Sequence, residues 1–469
     1  MSQLFPRHAG LQTDLYELTM AAAYWAGGRG EDEATFELSV RSLPPQRSYL
    51  LAAGLEQAVE YLQSLSFNGE EVDFLRRHPA FEFVPAGFFD YLRALRFTGS
   101  LTAMREGTVV FGEEPLLRIT APVIQAQLAE TYLLSTLTYQ TIVATKAARM
   151  VQAAAGRGLV EFGTRRAHGP QAGLFAARAS YIAGFAGTSN TLAGFDWGIP
   201  TVGTTAHSWT MSFDDELESF QRFAELFREK TVLLIDTYDS CEAVSKALAA
   251  GVPFRGVRID SGNLVEQCRA VRALLDAGGR RDAIILVSGD MNEYVISRLL
   301  AEGAPAGVPA QGAPIDMFGV GTDLVVSRDA PALNGIYKMV EIAHNGEARS
   351  TAKFSESKIT LPGRKQVFRK VTATGQLAHD VLGLESEVYP DAATLLHPVM
   401  HGGRLIAPLP PIEEIRKHAA ESLASLPDSL KGLEGGARHE VRRSAPLTAL
   451  LESLRARYAP EPLPAAPRG

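Results

Sequence analysis

The chain has 469 residues, and 46 Lys plus Arg against 53 Asp plus Glu leave a net charge of −7. That balance suits a soluble globular protein, argues against a nucleic-acid-coating surface, and at this length allows two or three domains. The 46% apolar content excludes general disorder, and two cysteines, Cys241 and Cys268, exclude a disulfide framework. No window approaches a membrane span. The opening MSQLFPRHAGLQTD lacks the charged-then-apolar layout of a signal peptide, so a cytoplasmic protein with no membrane partner is expected.

Residues 1–125 mix helical periodicity with alternating stretches such as Phe36 to Val40 and Thr108 to Ile119, which predicts an α+β domain. Pro122 can open a long helix running to about Ala155. Along it Leu128, Tyr132, Leu133, Leu137, Ile142 and Val143 recur at helical spacing, and the basic residues Lys146 and Arg149 follow. From Leu159 to about Ile342 the pattern changes to short β-branched runs, each followed by a helical stretch, so residues 126–343 are expected to form one α/β domain carrying the chemistry. The runs are LVEF (159 to 162), PTVGT (200 to 204), TVLLID (231 to 236), RGVRID (255 to 260), AIILVSGD (283 to 290), IDMFGVGT (315 to 322) and YKMVEIA (337 to 343). Their polar ends, from Glu161 to Thr322, lie 24 to 43 residues apart, close to the length of a βα unit, which predicts parallel strands. Ser240 can cap the helix that follows Asp236, and Val265, Cys268, Val271, Leu274 and Leu275 make one apolar stripe. Apolar strands ending in turn in Asp, Glu or Thr suit an irregular TIM-like barrel whose site gathers at the strand C-terminal ends; a doubly wound open sheet is the competitor. Residues 344–469 are expected to return to the first domain through strands around SKITLPGRKQVFRKV, then to turn helical after Pro408 and finish in a loose tail, PEPLPAAPRG.

Three strand ends share turn-plus-polar chemistry: Asp260-Ser261-Gly262, Ser288-Gly289-Asp290 and Gly319-Val320-Gly321-Thr322. Glycines let backbone N–H groups approach an anion closely, so together the three suggest a phosphate cradle; singly, each also reads as a tight turn. Asp260 and Asp290 can serve as caps, hold ribose hydroxyls, or bind Mg²⁺ through water beside a diphosphate. Arg165 and Arg166 follow a strand end, where a guanidinium can grip phosphate or carboxylate by paired hydrogen bonds or simply face solvent. Arg258 lies two residues before Asp260 on one strand, so both face the same side. His207, in the loop beyond PTVGT, reads either as a structural histidine or as a nucleophile toward a phosphoryl group.

With these motifs the chain resembles the nicotinate phosphoribosyltransferase family. The likeness spans most of the sequence, in order: TDLYELTM (13 to 20), AAGLEQ (52 to 57), EFGTRRAHGP (161 to 170), AGTSNTLAG (186 to 194), PTVGTTAHSW (200 to 209), VRIDSGNL (257 to 264), SGDMNE (288 to 293), GVGTDL (319 to 324) and TLPGRKQVFR (360 to 369). The resemblance implies an irregular α/β barrel with a discontinuous mixed domain built from both chain ends. It also implies that nicotinate and phosphoribosyl pyrophosphate give nicotinate mononucleotide and pyrophosphate, with ATP as co-substrate and Mg²⁺ as cofactor. By the same likeness His207 is transiently phosphorylated, Tyr16 and Phe162 flank the pyridine ring, Thr204 and Arg258 contact nicotinate, and Arg165 lies near the reaction centre. Thr322, Gly319 and Gly321 hold the 5-phosphate, while Asp260, Ser261, Gly262 and Ser288-Gly289-Asp290 line the ribose and phosphate site. A homodimer in which Tyr16 reaches the neighbouring subunit is implied. One departure from the family's commoner pattern is Asn263, where Asp is more usual; Ser189 and Asn190 are neutral, which suits a carboxylate ligand. Two other readings of these residues are a nicotinamide-using relative and a barrel isomerase or lyase acting on a sugar phosphate, with Lys338 as its base.

Overall fold

The computed structural model describes residues 8–302, 312–355 and 359–459. The chain forms two compact units. One joins the residues up to Thr141 with those from Ala332 onward, and the other is continuous from Ile142 to Pro331. The expected loose tail, residues 460–469, lies outside the described residues.

In the first unit a seven-stranded sheet is antiparallel throughout. It runs in the order Glu347–Ser350, Gly335–His344, Glu33–Val40, Pro115–Pro122, Ser100–Met104, Leu396–His401 and Arg404–Leu405. Three strands from the N-terminal stretch are therefore flanked on each side by two from the C-terminal stretch. Glu33–Val40, paired on both sides, buries Phe36, Leu38 and Val40. The stretch from Thr108 to Ile119, expected to be extended, is broken between Val109–Val110 and Pro115–Pro122, because Gly112 and Glu113 turn the chain and Glu113 takes φ 70°. A second sheet pairs Lys365–Val371 with Leu377–Leu384, and helices Ile412–Ala424 and Ala445–Tyr458 follow Pro408.

One strand departs from the expected series. YKMVEIA, read above as the last of the parallel runs, lies within Gly335–His344 and pairs antiparallel with Glu33–Val40 in the first unit. Its β-branched composition reports burial, and burial is common to both sheets. The helix opened by Pro122 also differs slightly, since Val123–Leu128 stops at Ala129 and Glu130–Ala153 begins anew, crossing from the first unit into the second.

The second unit is built on six parallel strands. From one edge they are Val232–Leu234, Gly256–Ile259, Ile284–Val287, Met317–Val320, Gly158–Glu161 and Gly187–Thr188. In chain order this sequence runs third, fourth, fifth, sixth, first, second. It is one circular series in which the last strand pairs with the first, and it lacks the reversal that marks a doubly wound sheet. Beyond the strand ending at Thr188, a single bridge to Thr201 is all that PTVGT contributes, because Pro200 has no N–H to donate and Gly203 gains nothing from a strand. The strands bury Leu234, Ile259, Val287, Phe318 and Val320, while the helix Leu264–Ala277 lays Cys268, Val271 and Leu275 against them. The helix Ser240–Ala249 is capped by the Asp239 carboxylate, which accepts from the Glu242 N–H at 2.8 Å, one residue before the expected cap.

Candidate active site

Parallel strands place all their C-terminal ends on one side, so the turns after Glu161, Thr188, Ile259, Val287 and Val320 share one rim. There they enclose a cleft of about 470 Å³, a size suited to a small ligand. Its lining includes Phe162, Arg165, Arg166, Thr204, Arg258, Asp260, Ser288, Gly289, Asp290, Gly319, Gly321 and Thr322.

Arg258 is the hub of this cleft. Its Nε donates to the Ser288 hydroxyl at 2.8 Å, one terminal nitrogen to the Thr204 hydroxyl at 3.0 Å, and the other to Asp260 at 2.8 Å. The Ser288 hydroxyl passes the chain on, donating to the same Asp260 oxygen at 2.5 Å. The guanidinium also sits 5.6 Å from the centre of the Phe162 ring, within cation–π range. Burial alone would raise the Asp260 pKa, but the hydrogen bond from Ser288 and the charge of Arg258 outweigh it, with His207 adding to them, and hold the carboxyl below its ordinary value. Asp260 is therefore ionised at neutral pH, and the Arg258–Asp260 pair is locally neutral.

Close backbone approach shapes the floor. A Cβ on Gly319 would meet the Phe162 ring at 2.6 Å and Ser288 Cβ at 3.1 Å, so only glycine lets the aromatic ring settle against that strand. Gly289 takes φ 90° and passes within contact of the Asp260 carbonyl, and Asp290 itself is left-handed at φ 42°.

Glu161 works from beneath. It is fully buried, accepts from the Gly163 N–H and from the Thr188 hydroxyl at 2.5 Å, and burial pushes its pKa up. These contacts fix the turn that carries Phe162, Thr164 and Arg165. Asn190 is spent on structure: its side chain caps the helix Thr191–Trp197 through the Ala193 N–H at 3.0 Å and donates to the Thr164 hydroxyl at 3.2 Å. Asn263 likewise serves as the cap residue of the helix Leu264–Ala277, accepting from the Glu266 N–H at 3.4 Å.

Ser261, Gly262, His207, Tyr16 and Lys338, all singled out in the sequence, do not line the cleft. Ser261 donates to Asp236 at 2.7 Å and Gly262 forms the adjoining turn at φ 85°, so both shape the loop that presents Asp260. Asp236 also accepts from the Asp260 N–H at 3.0 Å; visible in the sequence only as a polar strand end, it anchors this turn. His207 opens the short helix His207–Met211, with Nδ1 3.1 Å from the Thr237 hydroxyl. Tyr16 belongs to the first unit, on the helix Leu15–Ala26, and is 48% exposed. Lys338 stands in the middle of the antiparallel strand Gly335–His344, opposite Glu37 and 3.6 Å from Glu130, and is not among the lining residues, which removes it as a base for that cleft.

Among the described residues no group of three or more His, Cys, Asp or Glu is arranged to hold a metal ion, and none of the helices is long and apolar enough to cross a membrane. Asp260 and Asp290 are the carboxylates on the cleft wall. A divalent cation that keeps several waters and takes most of its oxygens from a diphosphate fits that donor set; an all-protein cage does not.

Three family models match the chain in succession: the nicotinate phosphoribosyltransferase (NAPRTase) N-terminal domain over residues 11–138, the nicotinate phosphoribosyltransferase (NAPRTase) family over 158–385, and the nicotinate phosphoribosyltransferase C-terminal domain over 389–451. The nicotinate phosphoribosyltransferase pncB2 of Mycobacterium tuberculosis is 45% identical over 436 residues, 91% of this chain and 90% of that protein. The Bacillus subtilis nicotinate phosphoribosyltransferase is 40% identical, covering 83% and 79%. The crystal structure of human nicotinic acid phosphoribosyltransferase aligns with a TM-score of 0.80 at 30% identity, over 95% of this chain and all of that one.

Proposed function

The chain belongs to the nicotinate phosphoribosyltransferase family, and from that premise we propose that it joins nicotinate to phosphoribosyl pyrophosphate, releasing nicotinate mononucleotide and pyrophosphate, with ATP hydrolysis coupled to the transfer. This is the entry step of NAD salvage from nicotinic acid. The observation that carries the reading is the Arg258 network, which ties three strand ends around one cleft and sets a cation beside an aromatic face.

The pyridine nitrogen attacks the ribosyl C1 with its own lone pair as the bond from C1 to the pyrophosphate oxygen breaks. No proton has to be removed, so rate enhancement comes from orientation and charge placement. Phe162 offers the ring a flat apolar wall. The Thr204 hydroxyl and a guanidinium N–H of Arg258 not engaged by Asp260, Ser288 or Thr204 meet the nicotinate carboxylate. A neutral amide gains less from that guanidinium, which favours the acid over nicotinamide.

The backbone of Gly319 to Thr322, with the Thr322 hydroxyl and the Ser288 to Asp290 turn, receives the donor's 5-phosphate and ribose. Asp260, ionised, faces the positive charge that grows on the ribosyl ring, and Arg165, which is exposed on the rim, meets the leaving pyrophosphate. Mg²⁺ bound with the donor would neutralise the departing diphosphate, with Asp260 and Asp290 available to it. A phosphoryl group on His207 would add about two negative charges at the rim. With Asp260 close enough to feel the histidine's charge, this gives ATP a physical means of altering donor affinity.

We further read the second unit as an irregular TIM-like barrel opened between Thr201 and Val232–Leu234, and the first as the discontinuous α+β domain. The reading includes a cytoplasmic homodimer, with the exposed Tyr16 supplied to the neighbouring subunit's pyridine slot. Purified protein incubated with phosphoribosyl pyrophosphate, Mg²⁺ and ATP should convert nicotinate in preference to nicotinamide. A preference for the amide would reject the substrate assignment.

A further inference from the structure

Behind the phosphate-facing turns lies a buried charge cluster. Lys146, on the helix Glu130–Ala153, has a side chain 1% exposed, and its ammonium lies 2.7 Å from Glu293, 2.7 Å from Asp323 and 2.8 Å from Asp329. Arg149, almost one helical turn further on, reaches Glu293 at 3.1 Å and the Tyr294 hydroxyl at 3.1 Å. Two of the three carboxylates come from the segments that supply the cleft floor. Glu293 opens the helix that follows Ser288-Gly289-Asp290, and Asp323 directly follows Thr322. Asn292 links the two, its amide 3.5 Å from Asp323.

Three carboxylates next to turns that receive a phosphate are the opposite of what an anion requires. Burial would favour a neutral amine on Lys146, yet the charge of Glu293 and hydrogen bonds to Asp323 and Asp329 hold its proton more tightly than usual, so the positive charge stays. A compact ammonium with three donors suits three acceptors converging from different segments, which a planar guanidinium does not.

We infer that Lys146 is a positioning residue for the ribosyl donor, clamping the Ser288–Asp290 and Gly319–Thr322 turns to one support and cancelling the charge of Asp323 beside them. The inference rests on the assignment of those turns to the donor's phosphates.

Steady-state kinetics with each substrate varied in turn tests it. Lys146→Met should raise the KM for phosphoribosyl pyrophosphate by on the order of tenfold, the scale of losing one charged hydrogen-bond partner, and should move the nicotinate KM several-fold less. Lys146→Arg, which keeps the charge without the three-way fit, should show the same asymmetry at smaller size, and it carries the test if the Met variant does not fold. A donor KM unchanged in the folded variant, or equal rises for both substrates, overturns the role of Lys146. Thr322→Ala is run alongside: if it leaves the donor KM unchanged while Lys146 variants do the same, the phosphate assignment itself has failed; if Thr322→Ala raises it and the Lys146 variants do not, only the positioning inference falls.

Discussion

Arg258→Ala is the most informative single change, because the structure sets how much it removes. The side chain is 13% exposed and makes three short contacts, to Ser288, Thr204 and Asp260, with Asp260 itself 28% exposed at its side chain. Losing one charge-assisted hydrogen bond to the nicotinate carboxylate costs about 1.5–3 kcal/mol, which is roughly a 10- to 150-fold rise in nicotinate KM. The same deletion strips Asp260 of its counter-ion, so a bare carboxylate remains in the cleft and adds repulsion toward the substrate's own. The Arg258→Ala/Asp260→Ala pair should then bind nicotinate better than Arg258→Ala alone. Arg258→Lys should recover only part of the loss, since one ammonium has a different geometry from the fork that reaches three acceptors. The pH dependence has a definite sign. Asp260 is held below its ordinary pKa, so the stability it contributes is present above the ordinary carboxylate range and is lost as pH falls through the lowered value; in Arg258→Ala the carboxyl loses a group that lowers it, so this acid-side loss should become smaller. Nicotinate titrations at saturating phosphoribosyl pyrophosphate measure the main effect. A nicotinate KM equal to that of the unaltered enzyme would refute the placement of Arg258 against the substrate.

Other outcomes follow from the same geometry. Gly319→Ala should destabilise the fold by about 1–3 kcal/mol and impair both substrates, because the new methyl meets the Phe162 ring at 2.6 Å; thermal melts and kinetics together check this. Glu17, buried in the first unit and held by Thr13 and Thr131, has its pKa pushed up to about 8 by burial, with Glu130 and Asp14 adding repulsion. The folded state therefore binds a proton that the unfolded state has released between the ordinary carboxylate value and about 8, and stability falls as pH rises through that window. Glu17→Gln should flatten the decline by on the order of a few kcal/mol, seen as a melting temperature that no longer drops between about pH 5 and 8. His207→Ala should keep basal transfer and lose stimulation by ATP; intact coupling in that variant would exclude the phosphohistidine.

Much of the cleft is legible in the sequence. Strand-end turns with Gly, Ser, Thr and Asp have a local cause, since close approach to an anion selects small residues and hydroxyls at the end of a buried run, and this singled out Gly319, Ser288 and Asp260 together. The alternation of Arg258 with Asp260 placed both on one face by strand geometry alone. Legibility failed where an identical local pattern served a different partner. YKMVEIA reads like a barrel strand but pairs with Glu33–Val40, some 300 residues earlier in the chain. PTVGT reads like a strand and forms one bridge.

What residue order determined by itself was burial, turn chemistry, family membership and the α/β rhythm, because each depends on neighbours within a few positions or on a motif preserved whole. Tertiary structure alone decided which strand closes the circular series, that Asn190 is spent on a helix cap, that Asp236 holds the Asp260 turn, and that Lys146 meets Glu293, Asp323 and Asp329. The strand closure and the Lys146 cluster bring groups more than 100 residues apart together in a low-dielectric interior, where a charge must find an opposite charge, and no periodicity along the chain encodes which one.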